Sequence, residues 1–242
     1  MTSTPSSSSS LPTLIFADPH QDFWIINKPS HYLTHADGSG RPDLVSFLAQ
    51  SSLIEDPYVL HPIHRLDLGT SGLICFSSSP QGLKHWQQFW HNQSVEKRYL
   101  GLVAGKMRPK GIIKRSLKDQ RRKKAVEATT RYRTIWKFEQ CSLVEFRPQQ
   151  GRKHQIRRHL QMVGSALSGE SRYRARTKSK ALPYAPTRLW LHAHRLSFKD
   201  QAQPQSASPH GSWVAPLPDE LKAHPSALDG EEIVDRLEKS YS

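Results

Sequence analysis

Short apolar runs arriving in neighbouring pairs, with little helix between the members, constrain this chain most. Leu14-Ile15-Phe16 is followed, after the Asp18-Pro19 turn, by Phe23-Trp24-Ile25-Ile26, which Pro29 closes. Tyr58-Val59-Leu60 leads into Leu73-Ile74-Cys75-Phe76. The alternating stretch 127–138 runs almost directly into the strand-like stretch 141–148. A late stretch sets Leu189, Leu191 and Ala193 against Arg188, Trp190, His192 and His194, the pattern of a half-buried strand. Parallel strands need long crossovers between them, and most of these pairs have none. The expected fold is therefore α+β, with a mixed, largely antiparallel sheet and flanking helices. Helical spacing is confined to three stretches. They are 42–53 (Leu44, Phe47, Leu48), a segment with Leu83, Trp86, Phe89 and Trp90, and 153–163, where Ile156, Leu160 and Val163 share a side and Gly164 is the stop.

Charge narrows the function. The 242 residues carry 35 Lys and Arg against 21 Asp and Glu, a formal balance of +14. A basic excess of that size on a folded domain points to nucleic acid. It is concentrated in two segments, 104–124 and 170–182, expected as exposed basic loops or a long hairpin. No apolar run is long enough for a membrane span. Residues 1–12 are Ser-rich and lack the basic and apolar regions of a secretion signal, so a disordered start and a cytoplasmic setting are expected. The main domain is expected over 13–226, with a helical or disordered tail over 227–242. Two cysteines exclude a disulfide framework and any CxxC pair. The histidine pairs His61/His64 and His192/His194 come without a matching Cys or acidic set, so no metal is expected.

The densest polar cluster in an apolar setting is His61-Pro-Ile-His64-Arg65-Leu66-Asp67, followed by Gly69-Thr70-Ser71-Gly72. In an extended backbone Arg65 and Asp67 share a face. That makes either an active-site edge or a local ion pair beside a turn. The block HRLDLGTSGLICF resembles the HRLD-x-x-TSG signature of the RluA-type pseudouridine synthases. Further segments resemble that family in its order: DFWIINKPSHYLTH, EKRYLGLVAG, AVEATTRYRTI, FRPQQGRKHQIRRHL and RLWLHAHRLSF.

The resemblance implies the pseudouridine synthase fold with a central RNA-binding cleft. It implies isomerisation of a specific uridine in tRNA or rRNA to pseudouridine, without a cofactor. The partner is RNA, and the protein is expected to be a monomer. The target base must leave the stack to be reached. Asp67 takes the position of the catalytic carboxylate, acting as a nucleophile or as a base on the ribose. Tyr99 matches the tyrosine that stacks on the target base; otherwise it is a core aromatic. Arg157 matches the arginine that pairs with the aspartate, and a paired cation keeps a buried carboxylate ionised. Arg65 matches the arginine that fills the gap left by the everted base, or else forms a structural ion pair. Leu191 is either a pocket leucine or an ordinary core leucine. Arg152, Lys153, His154 and Arg158 belong to an RNA-facing basic surface, as do Arg121, Arg122, Lys123 and Lys124 in the first basic segment.

Two departures from the family pattern stand out. Gln150-Gly151-Arg152 replaces Thr-Gly-Arg, and GSALSGESRYR replaces GHPI-x-GD-x-x-YG, so Glu170 stands where relatives have Asp and Arg174 where they have Gly. No room is seen for the extra N-terminal RNA-binding domain of some relatives. The main alternative is a non-catalytic RNA-binding or chaperone protein that keeps the fold. A DNA-binding regulator would need a helix-turn-helix or zinc-finger pattern, which is not found.

Overall fold

The computed structural model describes residues 10–54, 59–92, 94–119, 123–174, 188–198, 211–218, 233, 235–237 and 239. Two antiparallel half-sheets meet at one short parallel seam. The first half contains β1 (Thr13–Asp18), β2 (Phe23–Lys28), the two-residue β3 (His61–Pro62) and β4 (Ser71–Ser77). The second contains β5 (Val95–Ala104), β6 (Lys110–Lys114), β9 (Thr129–Lys137), β10 (Cys141–Pro148), β11 (Leu191–Phe198) and β12 (Gly211–Val214). A separate ribbon pairs β7 (Leu117–Asp119) with β8 (Lys124–Val126). The order through the main sheet is β1-β2-β4-β11-β5-β10-β9-β6, with β3 on β4 and β12 on β11. At the seam β4 and β11 run parallel, and only Ser71–His192 and Gly72–Ala193 are in register. Gly72 has φ +108, and a Cβ there would lie 2.3 Å from the Ala193 carbonyl oxygen, so only glycine fits.

Helices cover both faces, which is why β2 and β4 read as unbroken apolar runs. Helix α1 (Leu44–Gln50) is capped by Asp43, whose carboxylate accepts from the Ser46 N–H at 2.9 Å. Its Leu44 and Leu48 pack on Trp24, Ile26, Ile74 and Phe76. Helix α2 (Pro80–His91), with Ser79 as cap, sets Trp86 against Phe23, Ile25, Leu73 and Cys75 on the opposite face. Helix α3 (Gln155–Met162) lays Ile156 and Leu160 on Val144 and Phe146 of β10.

The structure corrects two expectations. The late strand is not half-buried: Arg188, Trp190, His192 and His194 are all under 9% exposed, like their apolar neighbours. The strand lies mid-sheet, and its two faces meet different core layers. Nor is 104–124 one long exposed loop. Here β6 joins the main sheet beside β9, Ile113 and Leu117 are buried, and only β7–β8 forms a hairpin. Lys124 opens β8, and Lys123 precedes it with φ 52. Arg121 and Arg122 lie outside the described residues, as do most of the Ser-rich start, residues 175–182 of the second basic segment and most of the tail. From that tail Ile233 and Leu237, each 1% exposed, pack with Leu100, Leu102 and Leu143.

Candidate active site

The segment from Ile63 to Thr70 crosses the mouth of the fork where β4 and β11 part. Its backbone is held from the loop after β2. Thr34 Oγ1 accepts from the Leu66 N–H at 3.2 Å and donates to the Leu66 carbonyl at 3.1 Å, which fixes the residue before Asp67. The Thr70 N–H closes a turn on the Asp67 carbonyl at 2.9 Å. Lys28, fully buried at the end of β2, donates to the carbonyls of Pro29 at 2.9 Å and Tyr32 at 2.7 Å and reaches that of Leu68 at 3.5 Å. Burial drives its pKa down to about 7, with Asp67 opposing and Arg188 adding to the shift.

Asp67 is thereby aimed into a cleft of about 660 Å³, a size suited to a small ligand or a single nucleotide. Its side chain is 23% exposed. Oδ2 lies 3.5 Å from Arg157 Nη1, and Oδ1 lies 3.4 Å from His154 Nε2. Both partners come from the start of α3, one turn apart. His154 stands immediately before the helix in the left-handed region, φ 54 and ψ 33, and makes no capping hydrogen bond. That conformation costs a non-glycine residue about 1–2 kcal/mol. The His154 side chain bonds through Nδ1 to the Tyr173 hydroxyl at 2.9 Å.

Arg157 is shared. Its Nε and Nη2 donate to the two oxygens of Glu170 at 2.6 and 2.8 Å, a bidentate fork, while the Asp67 contact is longer. Burial works against the guanidinium charge, but Glu170 and then Asp67 outweigh it and hold the pKa above its ordinary value. Glu170, whose side chain is 1% exposed, also accepts from the Arg172 and Tyr173 N–H groups at 2.8 and 3.0 Å. Burial would raise its pKa, yet Arg157 and these two N–H groups hold it below the usual carboxylate value.

Tyr99 lines the same cleft from β5, in register with Ala193 and Phe146. Burial pushes its phenol pKa well up, as does the Asp67 charge. Leu191 lines the cleft and packs with Val103 and Val144. Arg65 is exposed at the rim and has no ion pair with a described residue. Arg152, Lys153 and Arg158 complete the basic rim. Two of these also serve the framework: Arg152 Nε donates to the Glu127 carbonyl at 3.2 Å, and Arg158 Nη2 to that of Lys118 at 3.0 Å. Lys118 and Asp119 of β7 border the cleft, whereas Lys123 and Lys124 do not line it.

Sequence reasoning missed Glu170, Tyr173, Lys28 and Lys97 as site residues. Lys97, 6% exposed, lies two positions before Tyr99 on β5 and also lines the cleft; its Nζ is 5.3 Å from the Trp90 ring centre. The signal for Glu170 and Tyr173 was the altered loop after α3, where an acid survives among cations.

The family profile described as RNA pseudouridylate synthase matches residues 22–162, more than half of the chain. The chain belongs to the RNA pseudouridylate synthase family. The tRNA pseudouridine synthase C of Pasteurella multocida is 31% identical over 208 residues, covering 76% of this chain and 84% of that relative. The ribosomal large subunit pseudouridine synthase C of Vibrio cholerae is 29% identical over 213 residues, covering 84% of this chain and 66% of the relative. The fold is shared with the human RNA pseudouridylate synthase domain containing 4, at a TM-score of 0.64 with 20% identity and 93% of both chains covered. It is also shared with human domain containing 1, at a TM-score of 0.61. No helix among the described residues is long and apolar enough to cross a membrane.

Proposed function

We propose that this chain isomerises a uridine in RNA to pseudouridine, with Asp67 as the catalytic carboxylate. The observation that carries this reading is the convergence of three groups from separate elements on one cleft. They are an acid held on a fixed backbone, an arginine opposite it and a tyrosine beside it. The reaction breaks an N-glycosidic bond, turns the uracil and rejoins it through carbon, with no net redox change. Asp67 acts at the sugar, as nucleophile or as base. Arg157 sets a positive charge 3.5 Å from it in a half-closed site. Tyr99 offers its ring to the everted uracil, a contact worth about 1–3 kcal/mol in single-strand recognition. Arg65 at the rim is free to occupy the space the base leaves, and its planar guanidinium suits stacking. Arg152, Lys153 and Arg158 meet the phosphates.

The relatives' names divide between transfer RNA and the large ribosomal subunit, and we take the substrate to be one of these. We place the protein in the cytoplasm as a monomer, a setting compatible with two buried free cysteines.

The test compares wild type with Asp67→Asn on RNA extracted from cells lacking the protein, with pseudouridines mapped before and after incubation. Asp67→Asn should lose about 10³-fold or more in single-turnover rate while RNA binding and folding persist. Wild-type turnover by Asp67→Asn would remove the assignment. Tight RNA binding by wild type with no pseudouridine formed would favour the non-catalytic binder.

A further inference from the structure

We propose that Tyr173 and His154 form a relay, hydrogen-bonded between those two side chains and within ion-pair reach of Asp67, that fixes the Oδ1 edge of Asp67 and makes His154 a positioning residue for the carboxylate. The proposal rests on the reading of Asp67 given above.

A single long contact, Arg157 Nη1 to Oδ2 at 3.5 Å, leaves the carboxylate free to rotate about its last bond. His154 supplies the second point, 3.4 Å from Oδ1. The carboxylate plane is then held from both edges by one helix start. The backbone is arranged for this. A residue in His154's place ordinarily caps the helix with its side chain, and His154 does not. It adopts a left-handed conformation instead, and its ring lies between Asp67 and Tyr173.

Tyr173 is itself placed, because Glu170 accepts its N–H at 3.0 Å and the Arg157 guanidinium lies 5.2 Å from its ring centre. The chain of contacts therefore starts from the glutamate that stands where relatives have aspartate. It passes through the loop after α3 and ends on the reacting acid.

The hydrogen-bond pattern has one neutral solution. Nδ1 accepts from the Tyr173 hydroxyl, which leaves the proton on Nε2 to face Asp67. The charged and titratable groups around the ring are Asp67 from the segment before β4, Lys153 and Arg157 from the start of α3, and Arg172 and Tyr173 from the following loop. Burial lowers the histidine pKa below 6.5; Asp67 opposes this, and Arg157, Lys153 and Arg172 add to it. The ring is therefore neutral near pH 7. As pH falls through that lowered value, a full positive charge appears against Asp67, and the carboxylate becomes a weaker base and nucleophile. Activity should fall on the acid side for that reason.

Single-turnover rate and KM measured from pH 5 to 8 test the relay. His154→Asn suits the left-handed backbone but is too short to reach Asp67. It should lower kcat by about 10–100-fold, with KM and RNA affinity changed less than about threefold. His154→Gln offers an amide N–H that does not titrate. It should recover most of the rate at pH 7.5 and move the acid limb to lower pH. Tyr173→Phe frees the ring to carry its proton on Nδ1, and should lower kcat without weakening RNA binding. Three outcomes overturn the relay: an unchanged pH profile in His154→Gln, an unchanged kcat in His154→Asn, or a raised KM at constant kcat, as for a phosphate contact. Failure of the underlying reading is separate, because it would show as activity in Asp67→Asn.

Discussion

Glu170 shows how much of this site depends on a residue that does not line the cleft. Four donors converge on its carboxylate, two from Arg157 and two from the backbone of its own loop. Glu170→Gln keeps the volume but removes the charge, leaving the largely buried Arg157 guanidinium with its long contact to Asp67 and the face of the Tyr173 ring. Breaking a buried pair in this way removes about 3 kcal/mol or more of stability. Urea unfolding of the variant should show that loss at pH 7.5. It should shrink as pH falls from the ordinary value of 4.5 toward the lowered folded value, because the unfolded chain takes up the proton first and the folded carboxylate follows. A variant as stable as wild type would mean that Arg157 is solvated well enough to stand alone. Asp67, Tyr99 and Arg157 were singled out through the family resemblance, in blocks whose backbone type is clear (the lead into a strand, a strand, and the first turn of a helix), and the structure brings the three to one cleft. Glu170 was not legible as a partner. It follows a glycine-containing turn among cations, and spacing alone does not say which arginine it will meet. Lys28 was hidden differently: a lysine ending an apolar run reads as a solvated strand terminus, whereas three backbone carbonyls surround its ammonium.

The β7–β8 hairpin is the element through which the second half-sheet reaches the rim of the cleft. Its base is tied to α3, with Arg158 on the Lys118 carbonyl and His159 Nε2 on that of Arg115 at 3.0 Å. Its lysines are left to face outward. Replacing Lys118, Lys123 and Lys124 with Gln should weaken RNA binding roughly uniformly across sequences. The slope of log affinity against log salt should become shallower by about 0.7–0.9 per lost phosphate contact. Fluorescence anisotropy at several salt concentrations measures both, and the rate at saturating RNA should stay near wild type. An unchanged slope would take the hairpin off the RNA path. At this scale the sequence pattern served well for β2, β4 and the first two helices; in α3 it held for Ile156 and Leu160, while Val163, just past the helix end, is 47% exposed. It failed for β11. That strand's polar positions are covered by partners far along the chain, such as Ser71, which lies 2.9 Å from His192 Nδ1. No local pattern records that coverage.

Across the molecule as a whole, burial lowers the pKa of five described histidines, His154 and His159 among them, and does so furthest in three: His192 far below its ordinary value, His194 down to about 4 and His64 down to about 3. In the unfolded chain each titrates near 6.5, so the unfolded state binds more protons below that pH. The stabilising effect is complete above about 6.5 and is lost as pH falls toward the folded values. Unfolding free energy should already fall by about 1 kcal/mol from pH 8 to 7, where Lys28 is charged in the unfolded chain but still largely neutral when buried, and should drop by about 2–3 kcal/mol more between pH 6.5 and 5.5 as the histidine contribution is lost. A flat profile over that lower interval would mean that these rings are charged in the folded protein. The two walls of the cleft belong to different slabs. Asp67 leads into β4 in one of them, and Tyr99 lies on β5 in the other, with α3 carrying His154 and Arg157 packed on the same second slab. The slabs are sutured along the backbone at two residue pairs, one of which is the crowded Gly72–Ala193 contact. Reactive spacing is thus registered by a few atoms rather than by the broad layers on either side. A bulkier side chain at that suture would put the acid out of alignment with its cations while each slab still kept its own interior.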